Sequence, residues 1–300
     1  MFKTWHWEIT TKCNMSCSHC LHGTKKRSDP KWSLRQYLEI IDSIRSLGGK
    51  DILFTSGEPF YLKDFLAIAN YAKTVGFRVS VITNGTLFNE HSLLTTSQIF
   101  DTVGISIDGQ NADHDLIRGA GSYQKTIQSI TNLLKLNVQV IAYITVNGIN
   151  IHSQKQILNE LIELGVRSFH FNQLNIQGNA IANRQLHFNC SQDEIKRQLF
   201  QQINELVNIN IDRKWDDGCS VELNTVYMSC QGQIYSCVEI ATHNPADSIA
   251  SINDMDIGLK WRRYHSAFTR PPGCKYGVFN NNGIVIQLNC DECLFVESER

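Results

Sequence analysis

Short apolar runs alternate with amphipathic stretches along the first 175 residues. Most of the runs are nearly continuous, as in VSVIT and VGISI, which is typical of strands buried on both faces of a parallel sheet. The pattern predicts six strands, at Thr4–Thr10, Asp51–Thr55, Arg78–Thr83, Thr102–Ile107, Gln139–Val146 and Ser168–Asn172. This alternation indicates an α/β fold, either a partial barrel or a doubly wound sheet. In both, the chemistry lies at the C-terminal ends of the strands.

Helices are predicted between these strands. Apolar residues at 34–44 share one helical face, and Ser33 with Gln36 three residues later forms a capping box before them. Ser191 and Glu194 repeat that signal ahead of a later helix. Three further apolar stripes with helical spacing lie at 65–72, 127–134 and 157–162.

The pattern changes after Asn175, where a polar stretch predicts a connecting loop. From Trp215 onward the periodicity weakens, and six of the ten cysteines lie in this region. The stretch VELNTVYMSCQGQIYSC predicts a hairpin around a glycine turn. A small region that cannot build a large core is often stabilised by metal.

Composition excludes several classes of function. Hydrophobic residues make up 42% and charged residues 19% of the 300 positions, which argues against disorder. The formal charge of -1, without a basic block, gives no footprint for nucleic acid or an anionic membrane. No apolar run reaches the roughly 18 residues of a membrane span, and the first residues lack signal-peptide features. We therefore expect a cytoplasmic protein whose thiols bind metal rather than form disulfides.

Cys13, Cys17 and Cys20 form a C-x3-C-x2-C cluster directly after the first predicted strand. Three thiolates are one short of a closed structural zinc site. A [4Fe–4S] cluster held by three cysteines leaves one iron open for another ligand. A zinc site that uses His19 or His22 as its fourth ligand is the alternative that this spacing permits.

The cluster resembles the signature of the radical SAM superfamily. The resemblance implies a partial (βα)6 TIM-like barrel, a [4Fe–4S] cluster and S-adenosylmethionine (SAM), whose amino and carboxylate groups chelate the open iron. The residues TSGEP at 55–59 resemble the family's GGEP motif, with Ser56 at a position that is more often glycine. By this resemblance Ser56, Gly57, Glu58 and Pro59 contact SAM, and Glu58 accepts a hydrogen bond from its ammonium group.

Three more motifs follow in the family's order. They are TNG after the third strand, SIDG after the fourth and then HDLIRG. The resemblance implies that Asn84 and Ser106 lie at the SAM site and that Arg118 pairs with the SAM carboxylate in fork geometry. His19 stands where the family usually has an aromatic residue near the adenine.

A second cysteine set resembles the auxiliary-cluster regions called SPASM and twitch. Cys219 is followed by twelve residues, a glycine, four residues and Cys237, and Cys290 and Cys293 form a C-x2-C pair. The resemblance implies a radical SAM domain at 1–188 and a small α+β twitch-type iron–sulfur domain at 189–300. The four cysteines would hold one auxiliary [4Fe–4S] cluster, with a zinc knuckle as the alternative.

Three cysteines remain outside these two sets. Cys230 or Cys274 is an alternative ligand for the auxiliary cluster. Cys274 lies in a Gly/Pro loop, and its thiol is also a candidate catalytic hydrogen donor, as in radical SAM epimerases. Cys190 is predicted to be a small buried hydrophobe.

The resemblance also implies the class of reaction, which is hydrogen abstraction from an unactivated carbon with electrons from a flavodoxin or ferredoxin system. The segment SIDG…DHDLIRGAGSY favours peptide modification, and a sugar or aminocyclitol is the second substrate class. Only twelve residues precede Cys13, which keeps the sugar class open or implies that a separate protein recognises a leader peptide. A zinc-binding or electron-transfer protein is the non-enzymatic alternative.

Overall fold

The computed structural model describes residues 2–23, 32–207, 225–236, 241, 246–267, 276–281 and 284–289. Eleven strands occur within these ranges: β1 (Thr4–Glu8), β2 (Asp51–Thr55), β3 (Arg78–Thr83), β4 (Thr102–Ser106), β5 (Gln139–Val146), β6 (Ser168–Gln173), β7 (Thr225–Met228), β8 (Gln233–Tyr235), β9 (Ala250–Ser251), β10 (Tyr276–Asn281) and β11 (Ile284–Asn289).

The described α-helices are α1 (Leu34–Ser46), α2 (Phe65–Thr74), α3 (Glu90–Ile99), α4 (Asn111–Arg118), α5 (Ser122–Lys135), α6 (Gln154–Leu164), α7 (Gln192–Val207) and α8 (Ile257–Ala267). The two predicted capping signals are confirmed. Ser33 and Gln36 form a reciprocal capping box at α1, and the Glu194 backbone N–H donates to Ser191 Oγ at 3.3 Å ahead of α7. Within the described ranges, no helix combines the length and apolar character needed to cross a bilayer.

All the strands belong to one sheet, in the order β10-β11-β6-β5-β4-β3-β2-β1-β7-β8-β9. Strands β1 to β6 are parallel neighbours in chain order, which confirms the six predicted strands and the α/β class. The predicted hairpin is also present, because β7 and β8 pair antiparallel. Strand β7 pairs parallel to β1 and β11 parallel to β6, so C-terminal strands flank the six-stranded part on both sides.

The two faces of the sheet differ in burial. On the helix side, Trp5 and Trp7 of β1 are fully buried, and Trp7 packs 6.0 Å from Tyr37 of α1, centroid to centroid. Because side chains alternate along a strand, His6 and Glu8 point to the inner face. On that face the Tyr143 ring stacks on His170 at 4.6 Å. The face that packs against the helices forms the main core. The opposite face, here called the inner face, carries polar groups such as His6, Glu8 and His170.

Candidate active site

The cysteine cluster forms a loop at the C-terminal end of β1, and two other segments hold its backbone. The Ser18 N–H donates to the Ile117 carbonyl at the end of α4, at 2.8 Å. Asn179 donates its side-chain amide to the Cys17 carbonyl at 2.9 Å and its backbone N–H to the Cys20 carbonyl at 3.0 Å. The loop conformation is therefore set by residues more than 90 positions away in the chain.

The three thiols have different environments. Cys17 is buried, whereas Cys13 and Cys20 are half-buried. Burial raises the pKa of Cys17 to about 11, against the opposing effect of the nearby Arg118 guanidinium. The Asn84 amide lies 3.8 Å from Cys13 Sγ. Among the described residues, no three His, Cys, Asp or Glu side chains are grouped at metal-ligand spacing.

Glu58 is fully buried at the turn after β2, where its carboxylate joins two strands. Oε1 accepts hydrogen bonds from Thr83 Oγ1 at 2.7 Å and from the Phe60 N–H at 3.1 Å, and Oε2 accepts from the Asn84 N–H at 2.7 Å. Burial raises the pKa of Glu58 to about 7, and these hydrogen bonds offset only part of that rise. Glu58 thus fixes the end of β3 and the backbone of Asn84.

The turn that carries Glu58 passes very close to the cysteine loop. Gly57 has φ +27°, and a Cβ atom at this position would lie 2.2 Å from the Lys12 carbonyl oxygen. The Glu58 N–H donates to the same oxygen at 2.8 Å. Only glycine permits this approach. Ser56, one residue earlier, is one of two described non-glycine residues at positive φ, with φ +74°.

The TNG turn after β3 is held from the helix side. Thr126 Oγ1 of α5 donates to the Asn84 carbonyl at 3.0 Å, and Ser129 Oγ donates to the Gly85 carbonyl at 2.6 Å. The Asn84 side-chain amide then reaches Asn14 Oδ1 at 2.9 Å in the cysteine loop. Asn84 therefore connects α5 with the cysteine cluster.

Arg118 lies beside the cysteine loop in an ion pair with a buried carboxylate. Its Nε donates to Asp108 Oδ2 at 2.6 Å, and the two side chains are 10% and 0% exposed. Asp108 also accepts from the Thr145 N–H at 2.8 Å, and His19 Nε2 lies 3.6 Å from it. Burial alone would raise the pKa of Asp108, but Arg118 and, less strongly, His19 hold it at about 2.

The predicted site residues of the first 188 positions share one edge of the sheet. Ser106 ends β4. The cysteine loop follows β1, the SGEP turn follows β2 and Asn84 follows β3. Arg118 ends α4 and lies near Cys17 and Cys20 of the loop. Of the later cysteines, Cys230 is buried in the turn between β7 and β8, and Cys190 is exposed. The expectation that Cys190 is buried was wrong, because it lies outside α7 rather than on its packed face.

Five predicted cysteines lie outside the described residues. They are Cys219, Cys237, Cys274, Cys290 and Cys293. Their proposed roles stay predictions.

Two groups were missed from the sequence. Asp108 is the aspartate of SIDG and was visible as a motif residue, but its pairing with Arg118 follows only from the fold. Glu8 is the last residue of β1, and its hydrogen-bond partners Ser56 and Tyr227 are remote in sequence. Period-2 alternation along β1 could have placed Glu8 on the face opposite Trp5 and Trp7, but it names no partner.

Comparison with known proteins identifies the family. The model of the radical SAM superfamily matches residues 7–173. The chain belongs to the radical SAM superfamily. The matched span contains the cysteine loop, the SGEP turn, Asn84, Ser106 and Arg118. Membership implies a [4Fe–4S] cluster and SAM.

Relatives within the superfamily differ in their named activities. The chain is 26% identical over 242 residues to an Fe-coproporphyrin III synthase from Methanosarcina barkeri (strain Fusaro / DSM 804), which covers 80% of this chain and 59% of that protein. It is 35% identical over 130 residues to the mycofactocin maturase MftC from Mycobacterium ulcerans (strain Agy99), covering 42% of this chain and 35% of that protein. The chain therefore spans about three fifths or less of these relatives.

Solved structures show the same fold. Streptococcus suis SuiB bound to SAM superposes with a TM-score of 0.70 at 11% identity, covering 90% of this chain and 69% of SuiB. SuiB bound to its precursor peptide SuiA superposes with a TM-score of 0.66 at 12% identity, covering 87% and 65%. At these identities the likeness shows the fold alone.

The residues present fit an iron–sulfur cluster. The donor set is three thiols on one loop, and the loop backbone is fixed by a hydrogen bond that Ser18 donates to α4 and by hydrogen bonds that Asn179 donates to the loop. Three soft ligands suit a [4Fe–4S] cluster with one open iron, whereas a closed zinc site needs a fourth. Of the two proposed histidine ligands, His19 approaches Asp108 and His22 approaches Glu8.

Proposed function

We propose that this protein is a radical SAM enzyme that abstracts a hydrogen atom from an unactivated C–H bond. With the cluster and SAM bound, reductive cleavage of SAM supplies a 5′-deoxyadenosyl radical. One observation carries the proposal: the loop that bears the three cysteines contacts both the SGEP turn and Asn84 at the C-terminal edge of a parallel sheet. In this arrangement Cys13, Cys17 and Cys20 would hold the cluster.

The remaining predicted SAM contacts form the surroundings of that cluster. Gly57 lets the SGEP backbone pass close to the loop, and Ser106 lies at the end of the neighbouring strand β4. Asp108 holds the Arg118 side chain through Nε, and Arg118 Nη2 lies 3.5 Å from His19 Nε2 in the cysteine loop. The remaining N–H groups of the guanidinium would donate to the SAM carboxylate. Pro59 starts the short 3₁₀ helix that Glu58 caps.

The inner face of the sheet favours a substrate with neutral hydrogen-bonding groups. It presents the imidazoles of His6 and His170, the Tyr143 phenol and the Asn172 amide. Burial lowers the pKa of His6 to about 4, so this ring is neutral at physiological pH. Peptide amides suit such a surface, and the named activity of MftC and the peptide complex of SuiB are consistent with a peptide substrate. A sugar or aminocyclitol is the alternative with the same chemistry.

A coproporphyrin substrate, suggested by the synthase relative, would need basic partners for its carboxylates. Arg78 of β3 lies at the opposite end of the sheet and pairs with Asp51 at 2.5 Å, and Arg118 at the C-terminal edge is already assigned to the SAM carboxylate. We therefore rank a peptide above a tetrapyrrole.

The region 189–300 is proposed as a twitch-type domain with one auxiliary [4Fe–4S] cluster on Cys219, Cys237, Cys290 and Cys293. The β7–β8 hairpin supports this proposal, because it places a glycine turn at the predicted position within the first half of the motif. A flavodoxin or ferredoxin is the proposed electron donor, and a separate protein is proposed for leader recognition. Cys274 stays the candidate hydrogen donor.

Iron and sulfide analysis of anaerobically purified protein tests the proposal. About eight irons per chain are expected, falling to about four, with SAM cleavage lost, when Cys13, Cys17 and Cys20 are all replaced by alanine. Four irons per chain in the wild type and none in the variant would refute the proposed auxiliary cluster. If the protein contains no iron and cleaves no SAM even after reconstitution, the radical SAM proposal is refuted and the zinc-binding alternative remains.

Substrate class is tested separately with SAM cleavage in the presence of candidate substrates. A short precursor peptide, a neutral aminocyclitol and Fe-coproporphyrin III are compared for new product by mass spectrometry. Product from the porphyrin alone would overturn the peptide assignment.

A further inference from the structure

One buried carboxylate collects hydrogen bonds from three separate parts of the chain. Glu8 Oε2 accepts from Ser56 Oγ at 2.8 Å and from the Tyr227 hydroxyl at 2.7 Å. His22 Nε2 approaches the same oxygen at 3.4 Å. On the other oxygen, the Cys230 N–H donates to Oε1 at 3.4 Å. Glu8 therefore joins the SGEP turn, the cysteine loop and the C-terminal hairpin.

The directions of these hydrogen bonds define a chain. A serine hydroxyl has one hydrogen, and Ser56 donates it to Glu8. Ser56 Oγ also lies 2.7 Å from His22 Nε2, so it accepts that contact, and His22 carries its hydrogen on Nε2. The chain runs from His22 through Ser56 to Glu8, where the Tyr227 hydroxyl meets it from the other side.

Glu8 is placed to orient these groups rather than to exchange a proton with substrate. It is 6% exposed, and its oxygens already receive donors from the protein. Burial alone would raise the pKa of Glu8, but His22, Tyr227 and Ser56 hold it below its usual range. A general base at neutral pH needs the opposite shift.

Ser56 shows that the contact is maintained against local backbone preference. Its φ of +74° lies in the left-handed region, where glycine is at ease and serine is strained. A serine at this position supplies the hydroxyl that bridges His22 and Glu8, which a glycine cannot do. Ser56 is therefore both the residue with the strained backbone and the residue whose hydroxyl links His22 to Glu8.

We propose that Ser56 and Glu8 are positioning residues that tie the cysteine loop and the SGEP turn to the C-terminal hairpin, so that the SAM-binding edge and the hairpin keep one relative geometry. The inference rests on the proposed function, because it assigns SAM to this edge. It adds a link between that edge and the part of the chain that follows residue 225.

Ser56→Gly provides the sharpest test, because it removes the bridge and relieves the backbone. Its melting temperature is expected to equal the wild-type value or exceed it by about 2 °C. Its SAM dissociation constant is nevertheless expected to rise roughly tenfold, and the change that SAM causes in the EPR spectrum of the reduced cluster to be reduced. Glu8→Gln and Tyr227→Phe should likewise raise the SAM dissociation constant and reduce the EPR change that SAM causes.

Asn137→Gly is the matched control. Asn137 is the other described non-glycine residue at positive φ, with φ +58°, and it is exposed between α5 and β5. It should gain the same thermal stability and leave SAM affinity and the EPR change at wild-type values. If Ser56→Gly behaves like Asn137→Gly in all three measurements, the proposal is overturned.

Hydrogen exchange of the cluster-free protein separates this proposal from the proposed function. In Ser56→Gly the amides of the loop at 13–22 should exchange faster than in the wild type, while those around Asn137 stay unchanged. A wild type without any SAM-induced EPR change would refute the proposed function, and the exchange result would still decide the positioning role. Unchanged exchange in the loop would overturn that role.

Discussion

Removing Arg118 should destabilise the protein much more than removing an ordinary surface cation. Arg118→Gln leaves the Asp108 carboxylate with its Thr145 hydrogen bond but without its ion-pair partner. Asp108 is fully buried, so water cannot replace the lost guanidinium. Breaking a buried ion pair from one side costs about 3–5 kcal/mol.

The pKa of Asp108 gives a second route to the magnitude. In the wild type its pKa lies at about 2, below the usual 3.8. A depressed pKa contributes stability that is present above pH 3.8 and is lost as the pH falls through 2, which amounts to about 2 kcal/mol. Without Arg118, burial becomes the dominant influence and raises this pKa. The deficit of Arg118→Gln should therefore be largest at neutral pH and shrink as the pH is lowered toward 4.

Urea denaturation of the reduced protein measures the effect through its midpoint and slope. Asp108→Asn and the double variant complete a cycle, in which we expect a coupling energy of about 1–3 kcal/mol. Lys73→Gln is the control, because Lys73 pairs with Asp101 at 2.7 Å while both side chains are more than a third exposed. That pair should contribute at most about 1 kcal/mol. A deficit for Arg118→Gln no larger than this control, or strict additivity in the cycle, would refute the reasoning.

Three further predictions concern backbone fit, pH dependence and helix capping. Gly57→Ala should cost about 3 kcal/mol or more in urea denaturation, because its Cβ would meet the Lys12 carbonyl at 2.2 Å; a wild-type midpoint would contradict the close approach. Burial lowers the pKa of His6 from 6.5 to about 4, so its stability contribution is present above pH 6.5 and is lost as the pH falls through 4. Relative to His6→Gln, the wild type should thus lose about 2 kcal/mol between pH 7.5 and 5; parallel curves for wild type and His6→Gln would exclude this linkage. Ser33→Ala should lower the melting temperature by about 2 °C through loss of the α1 cap, and no change in calorimetry would show that the cap contributes nothing.

The strands of this fold could be predicted because their signal is local. Each of the six parallel strands is an apolar run, and the structure moves their ends by at most two residues. Helix α4 was not predicted, because NADHDLIR is only eight residues long and mostly polar, and of Leu116 and Ile117 only the isoleucine is buried. Helix α4 contacts the next helix through Asp115, which accepts a hydrogen bond from the Tyr123 N–H at the start of α5 at 2.8 Å.

The parts of the site that are carried by local motifs could be predicted from the order of those motifs. Contacts between side chains that are remote in sequence could not. The cysteine spacing and SGEP located the loop and turn that meet at the strand ends. The sequence also suggested that Arg118 binds the SAM carboxylate, and that role stays a prediction beside the observed pairing with Asp108. No local pattern could join Glu8 to Tyr227, since these side chains meet only after β7 has paired with β1.

The position of β1 inside the sheet has a consequence for synthesis. Its first partner, β2, is translated soon afterwards, but the edge that β7 covers stays unpaired until residues beyond 225 leave the ribosome. At roughly 5–20 residues per second, that interval lasts about 10–45 s. One edge of β6 likewise stays unpaired until β11 has been synthesised. A nascent or truncated chain ending near residue 188 therefore exposes two unprotected strand edges, which makes it a substrate for chaperones and prone to edge-to-edge aggregation.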